Sequence, residues 1–220
     1  MLRYAVKRIM TGILSLFVLA TVTFFLVRLI PGSPFMSGGV SRSVVEAIEE
    51  EYGLNEPLPV QYLSYMAGLL QGDLGISYQD PGTSVTEIIA RAWPLTASLG
   101  TAALIVSLLA GTGLGILKVM SRKKAVGHMI SAAGMAAAGI PGFAAAILLL
   151  LVFSVKLKLF PASGLYTLSS YVLPVISLSL YPTAVITRMM ANALAAEMGK
   201  KYVLFARAKG LGRGRIVLTH

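Results

Sequence analysis

Few residues in this 220-residue chain have the type and spacing that chemistry requires. Gly111, Gly113 and Gly115 come nearest to a phosphate-binding loop. Such a loop sets its glycines between a strand and a helix and follows them with Lys and then Ser or Thr, so that backbone N–H groups cradle the phosphates. Here Lys118 is followed by Val119, and the glycines stand inside an apolar run. Gly111 and Gly115 instead give the small-xxx-small spacing that lets two membrane helices approach closely. Glu46, Glu49, Glu50 and Glu51 lack the ligand spacing of a calcium loop and read as a solvated helix face. His128 and His220 are far apart in sequence, cysteine is absent, and no base partners Ser163 in the Ser163-Gly164 turn. The sequence therefore points to no catalytic residue, no metal site and no resident cofactor.

The stretch around which the chain is organised is basic and comes last. Tyr202, Phe205, Ala206 and Lys209 recur at i, i+3, i+4 and i+7, so they share one face of a helix. Gly210 supplies a left-handed stop, and Gly212 and Gly214 oppose continuation. Ala206 and Ala208 leave little bulk, so another surface could approach closely. Two readings stay open at this point: a basic helix lying on anionic lipid, or a docking helix for a partner protein.

The elements that must position this stretch are apolar. The chain is 56% hydrophobic and 13% charged, with a mean hydropathy of +0.78, which places it among polytopic all-α membrane proteins. Its net charge of +10 comes without aromatic-basic interleaving or a nucleic-acid motif, so no nucleic-acid partner is expected. Spans of roughly 20 residues are expected at 9–30, 94–117, 128–155 and 171–190. The basic start resembles a signal peptide, but the apolar run behind it is too long, so it reads as a retained first span. That span ends at Pro31-Gly32-Ser33-Pro34, with Arg28 snorkelling toward the headgroups. Residues 31–93 hold eight of the nine acidic residues and read as a small helical region. Ser43 with Glu46 fits a capping box ahead of a stripe of Val44, Val45, Ile48 and Tyr52. A second amphipathic run, 60–70, closes at Gly72, and Ser84 with Glu87 opens a third helix. Gly139, Pro141 and Gly142 interrupt the third span as a packing kink and a candidate bend in a translocation path.

Charge orients the spans. Arg28, Arg42, Arg91, Lys156 and Lys158 fall on one side, and the other 14 of the 19 Lys and Arg fall on the opposite side. The positive-inside rule then puts 1–8, 118–127 and 191–220 in the cytoplasm, with 31–93 and 156–170 outside. No Asp, Glu or His stands in the middle of a span, as a proton-driven carrier would need, and no ATP-binding motif is present. A transporter built from this chain would take its energy from another subunit.

Several motifs in order carry a family resemblance across the whole chain. They are Tyr52-Gly-Leu-Asn-Glu-Pro-Leu-Pro-Val-Gln-Tyr62, Leu70-Gln-Gly-Asp-Leu-Gly-Ile-Ser77, Pro94-Leu-Thr96, Leu173-Pro174, and Tyr202-Val203 with Ala206-Arg207-Ala208-Lys209-Gly210-Leu211. The chain resembles the first of two homologous permease subunits of dipeptide, oligopeptide and nickel ABC importers. It departs at Ser33 and Lys201, where the family usually has acids, and at Leu204-Phe205, in place of a common Arg-Thr. The resemblance implies a type I ABC importer transmembrane fold in a bacterial or archaeal inner membrane. It also implies a second permease subunit, ATP-binding subunits that hold the ATP, and an extracytoplasmic substrate-binding protein. Tyr202, Phe205, Ala206, Arg207, Ala208, Lys209, Gly210 and Leu211 would form the ATPase-coupling segment. Peptide is the expected substrate, with nickel open. The family continues past the His that matches His220, so the chain is expected to be partial. A structural membrane protein or a non-transporting remnant of such a permease is the alternative expectation.

Overall fold

The computed structural model describes residues 1–29, 42–80, 82–164 and 166–219. The helices, in order, are α1 (Leu2–Leu29), α2 (Arg42–Glu51), α3 (Leu58–Gln71), α4 (Val85–Met120), α5 (Lys124–Gly139), α6 (Gly142–Leu149), α7 (Leu168–Met198), α8 (Lys201–Ala208) and α9 (Arg213–Thr219). A π-helical segment, Leu150–Lys156, prolongs α6. Helices α1, α4 and α7 are long and apolar enough to cross a membrane, and α5 with α6 makes a fourth candidate if the bent pair counts as one span. This is the polytopic all-α membrane fold that the composition implies. The chain forms two compact units, Met1–Ala92 and Trp93–His220. The Pro31-Gly32-Ser33-Pro34 turn and His220 lie outside the described residues.

In the first unit, α1 is almost bare: among its side chains only Phe24 is buried. Phe24 stacks on Tyr65 at 5.5 Å and meets Tyr62 edge-on at 5.4 Å, while Thr21 shares a 2.9 Å hydrogen bond with the Tyr62 hydroxyl. Edge-on and offset ring pairs add stabilisation beyond the area that they bury. Arg28, expected near the headgroups, is held by side chains of its own unit. Its Nε donates to Gln61 Oε1 at 2.7 Å, its Nη1 donates to the Tyr78 hydroxyl at 3.0 Å, and the guanidinium lies 5.0 Å from the Phe24 ring centre. Helix α3 closes at Gly72, whose φ of +82° suits a residue without Cβ, and the Asp73 N–H bonds back to the Gly68 carbonyl.

Two expected boundaries differ. Helix α2 begins at Arg42, so Ser43 sits inside its first turn rather than ahead of it. Ser84 does cap a helix, accepting the Glu87 N–H at 3.1 Å, but that helix continues past Pro94 to Met120. Proline inside apolar helices is tolerated where neighbours satisfy the freed backbone groups.

In the second unit, α5 and α6 pack on α7, and α4 meets α7 along a seam of small residues. Ala103, Ser107, Gly111 and Gly115 recur every fourth position, and all four are buried. The Ser107 hydroxyl donates to its own Ala103 carbonyl at 2.7 Å and to the Ser179 carbonyl of α7 at 3.2 Å. A Cβ on Gly111 would sit 2.7 Å from Ile186 Cβ, and one on Gly115 would sit 2.7 Å from Met190 Cβ. Moving up α4 moves up α7, so the two helices run parallel. The small-xxx-small reading therefore holds and extends a further two repeats. The third span, by contrast, is no gentle kink: α5 and α6 meet at 104° across Ile140 and Pro141. Pro141 drives Ile140 into extended backbone, at φ −89° and ψ 124°.

The seam generates two predictions. Gly113 has open space around its Cβ position, so Gly113→Ala gains about 1 kcal/mol of helix propensity. Gly111→Ala forces overpacking worth about 1–3 kcal/mol. The two variants shift the melting midpoint in detergent in opposite directions, and shifts of the same sign would mean that the seam is looser than described. Among the described residues the buried Thr187 hydroxyl has no hydrogen-bond partner, so Thr187→Val raises the midpoint by relieving about 1 kcal/mol. A fall would mean that the hydroxyl is satisfied.

Candidate functional site

The basic segment is built from the end of α7 outward. Helix α7 stops at Met198, two residues turn, and α8 begins at Lys201. Glu197 sits at the joint, accepting a hydrogen bond from Lys200 Nζ at 2.6 Å and from the Tyr202 hydroxyl at 2.7 Å. Those bonds, more than any other effect, hold the Lys200 ammonium and the Tyr202 phenol protonated above their ordinary ranges. The ion pair is solvent-exposed and contributes little to stability by itself.

What fixes the segment is apolar. Val203 and Ala206 of α8 and Ile216 of α9 are buried together, with Met198 and Leu211 packed against them. The end of α7, the inner face of α8, and α9 thus share one small core. Helix α8 ends as the sequence suggests: Gly210 has φ +83°, its N–H bonds to the Arg207 carbonyl at 2.9 Å, and the Leu211 N–H bonds to the Ala206 carbonyl at 3.2 Å. That pair of bonds is a Schellman motif, and Leu211 makes its customary apolar contact.

The structure divides the candidate coupling residues between two faces. Tyr202, Phe205, Ala208, Lys209 and Gly210 are exposed, while Arg207 and Leu211 are half-buried. Phe205 is 66% exposed and Leu204, beside it, 56%, so an aromatic and an aliphatic side chain face outward together. Lys209 Nζ lies 5.1 Å from the Phe205 ring centre. Ala206 does not join that outer stripe: it turns inward, and the close surface that its small side chain admits is α9. Helix α9 itself is the element that sequence reasoning missed. Gly212 and Gly214 read as breakers, yet the Ile216 N–H bonds to the Gly212 carbonyl at 3.1 Å, so Gly212 starts a helix. The apolar Ile216 and Val217 were the available signal.

Gly139, Pro141 and Gly142 stand at the 104° corner, and all three are exposed. Phe143, one residue on, is 73% exposed. Among the described residues no group of three or more His, Cys, Asp or Glu could hold a metal ion. The outer face of α8 offers contact area and positive charge, which suits docking rather than catalysis.

Comparison with known proteins now bears on this arrangement. Residues 1–100 match the N-terminal region of binding-protein-dependent transport system membrane components. Residues 84–220 match the binding-protein-dependent transport system inner membrane component itself. The oligopeptide transport system permease protein OppB of Salmonella typhimurium is 33% identical over 223 residues, covering 100% of this chain and 73% of the relative. The dipeptide transport system permease protein DppB of Lactococcus lactis is 32% identical with the same coverage, and OppB of Haemophilus influenzae is 35% identical. The resemblance drawn from the ordered motifs is to this same group. With both halves matched and the helical membrane architecture in place, the chain belongs to the family of binding-protein-dependent transport system inner membrane components.

Proposed function

We propose that this chain is a permease subunit of an ATP-driven importer of di- and oligopeptides, coupled to a separate ATPase through α8. The observation that carries the reading is the small core of Met198, Val203, Ala206, Leu211 and Ile216, with Tyr202, Leu204 and Phe205 outside it. A partner gripping the outer face of α8 pulls on α7 directly, because the inner face of α8 is packed against the end of α7. Helix α7 in turn carries α4, through the glycine seam, and α5 and α6, which pack on it. Displacement works only if the ATPase holds α8 differently in its two states, since equal contact in both shifts no equilibrium.

The remaining partners follow from the family. They are a second homologous permease, ATP-binding subunits that bind and hydrolyse the nucleotide, and an extracytoplasmic binding protein that delivers substrate. Peptides are proposed because the relatives above are named for oligopeptide and dipeptide transport. The charge asymmetry supports both chain ends, and hence α8, on the cytoplasmic side. The corner at Gly139, Pro141 and Gly142 is proposed to line the path, where backbone groups left free by the break face a passing substrate.

Because Ala206 is part of the local core, an exposed residue tests docking more cleanly. Phe205→Asp leaves the core intact and lowers ATP-dependent peptide uptake by about tenfold or more, the loss expected of an interface anchor. Unchanged uptake at equal membrane abundance sinks the coupling role. The absence of cysteine makes the topology directly measurable. A cysteine at Ala208 reacts with a membrane-impermeant maleimide only in inverted vesicles, and one at Gln71 only in right-side-out cells. The reverse pattern overturns the orientation.

A further inference from the structure

The first unit contains a cavity of about 790 Å³ that the transport reading does not use. Its floor is the last two turns of α1, with Thr23, Phe24, Val27 and Arg28, and its walls come from the turn before α3, from α3 and from the loop after it. Charge in its lining is sparse and of both signs: one guanidinium, Arg28, and two carboxylates, Glu56 and Asp73. Gln61, Tyr78 and the Phe24 ring hold the guanidinium from three directions. Among the described residues Nη2 donates to nothing, and no carboxylate pairs with the group. A cation held by neutral groups and lining a cavity is suited to receive an oxyanion through its remaining N–H donors.

Position selects the oxyanion. Arg28 lies one residue before the end of an apolar helix long enough to cross a membrane, at the level where phospholipid headgroups lie. Val27 and Phe24 line the cavity beside Arg28, together with the polar Thr23, Ser64 and Tyr65. An amphiphile matches this mixed lining, whereas a free ion would leave its apolar part unfilled. We propose that the cavity binds a zwitterionic phospholipid bearing a primary amine, its phosphodiester on Arg28 and its ammonium toward Glu56 or Asp73. The glycerol and upper acyl carbons lie along Val27 and Phe24. An anionic headgroup without the amine is disfavoured by the two carboxylates.

Native mass spectrometry of the transporter complex from its own membrane tests this. The complex is first stripped with detergent, then supplied with equal amounts of phosphatidylethanolamine and phosphatidylglycerol. The wild type retains the ethanolamine lipid over the glycerol lipid, and Arg28→Gln loses it by about tenfold. Ser64→Trp fills the cavity while leaving the Arg28 hydrogen bonds in place, and it loses the lipid to the same extent. If Arg28→Gln fails to assemble, Ser64→Trp decides alone. Equal retention by wild type and Ser64→Trp overturns the site. Displacement of the lipid by inorganic phosphate at millimolar concentration, or by a tripeptide but not its C-terminal amide, overturns the lipid assignment in favour of a free anion or a peptide carboxylate.

Discussion

The second unit depends on how closely α4 and α7 approach. At Gly111 and Gly115 even one added carbon would overlap α7, so the two backbones sit nearly as close as helices can. In a bilayer the surrounding lipid is as apolar as the side chains, and helices associate through close packing and interhelical hydrogen bonds rather than by exclusion of water. The seam supplies both. Four small positions let the helices meet, and the Ser107 hydroxyl bridges to the Ser179 carbonyl. Helices α5 and α6 are then laid against α7, so a helix with two internal prolines is supported on several sides.

From that arrangement follows the logic of the basic end. Helix α8 is only eight residues long, too short to stand alone in water. It persists because Val203 and Ala206 are covered by α9 and by Met198. The same covering leaves Tyr202, Leu204 and Phe205 outside, so the short helix is held rigidly from within and is available from without. The exposed Glu197–Lys200–Tyr202 cluster orients the joint, while the apolar contacts hold it.

Legibility in the sequence varied with the kind of signal. The three long apolar helices and the stops at Gly72 and Gly210 were readable, because hydrophobic length and left-handed glycines are local properties. Gly111 and Gly115 were readable as a seam because a four-residue spacing of small residues in an apolar helix has few other uses. The inward turn of Ala206 was not. Its neighbours Tyr202, Phe205 and Lys209 gave a tidy helical stripe, and only the presence of α9 decides which side is inside. Helix α9 was hidden because glycine before a helix and glycine ending one look alike. The partners of Arg28 were hidden for a related reason: Gln61 and Tyr78 lie 33 and 50 residues away. The size of the Pro141 bend was also hidden, since the sequence marks a break without giving its angle.

The bareness of α1 has a consequence for how the chain is assembled. Helix α1 satisfies its own backbone, and among the described residues of its unit only its Phe24 side chain is buried. It can therefore be a stable membrane span before anything else has folded. Its C-terminal part, where Thr21, Phe24 and Arg28 make their contacts, becomes a template on which α3 later docks. Insertion and tertiary folding are thus separate events for this unit, and a lesion at Tyr62 or Gln61 would leave the first helix correctly inserted while the region beside it stays unassembled.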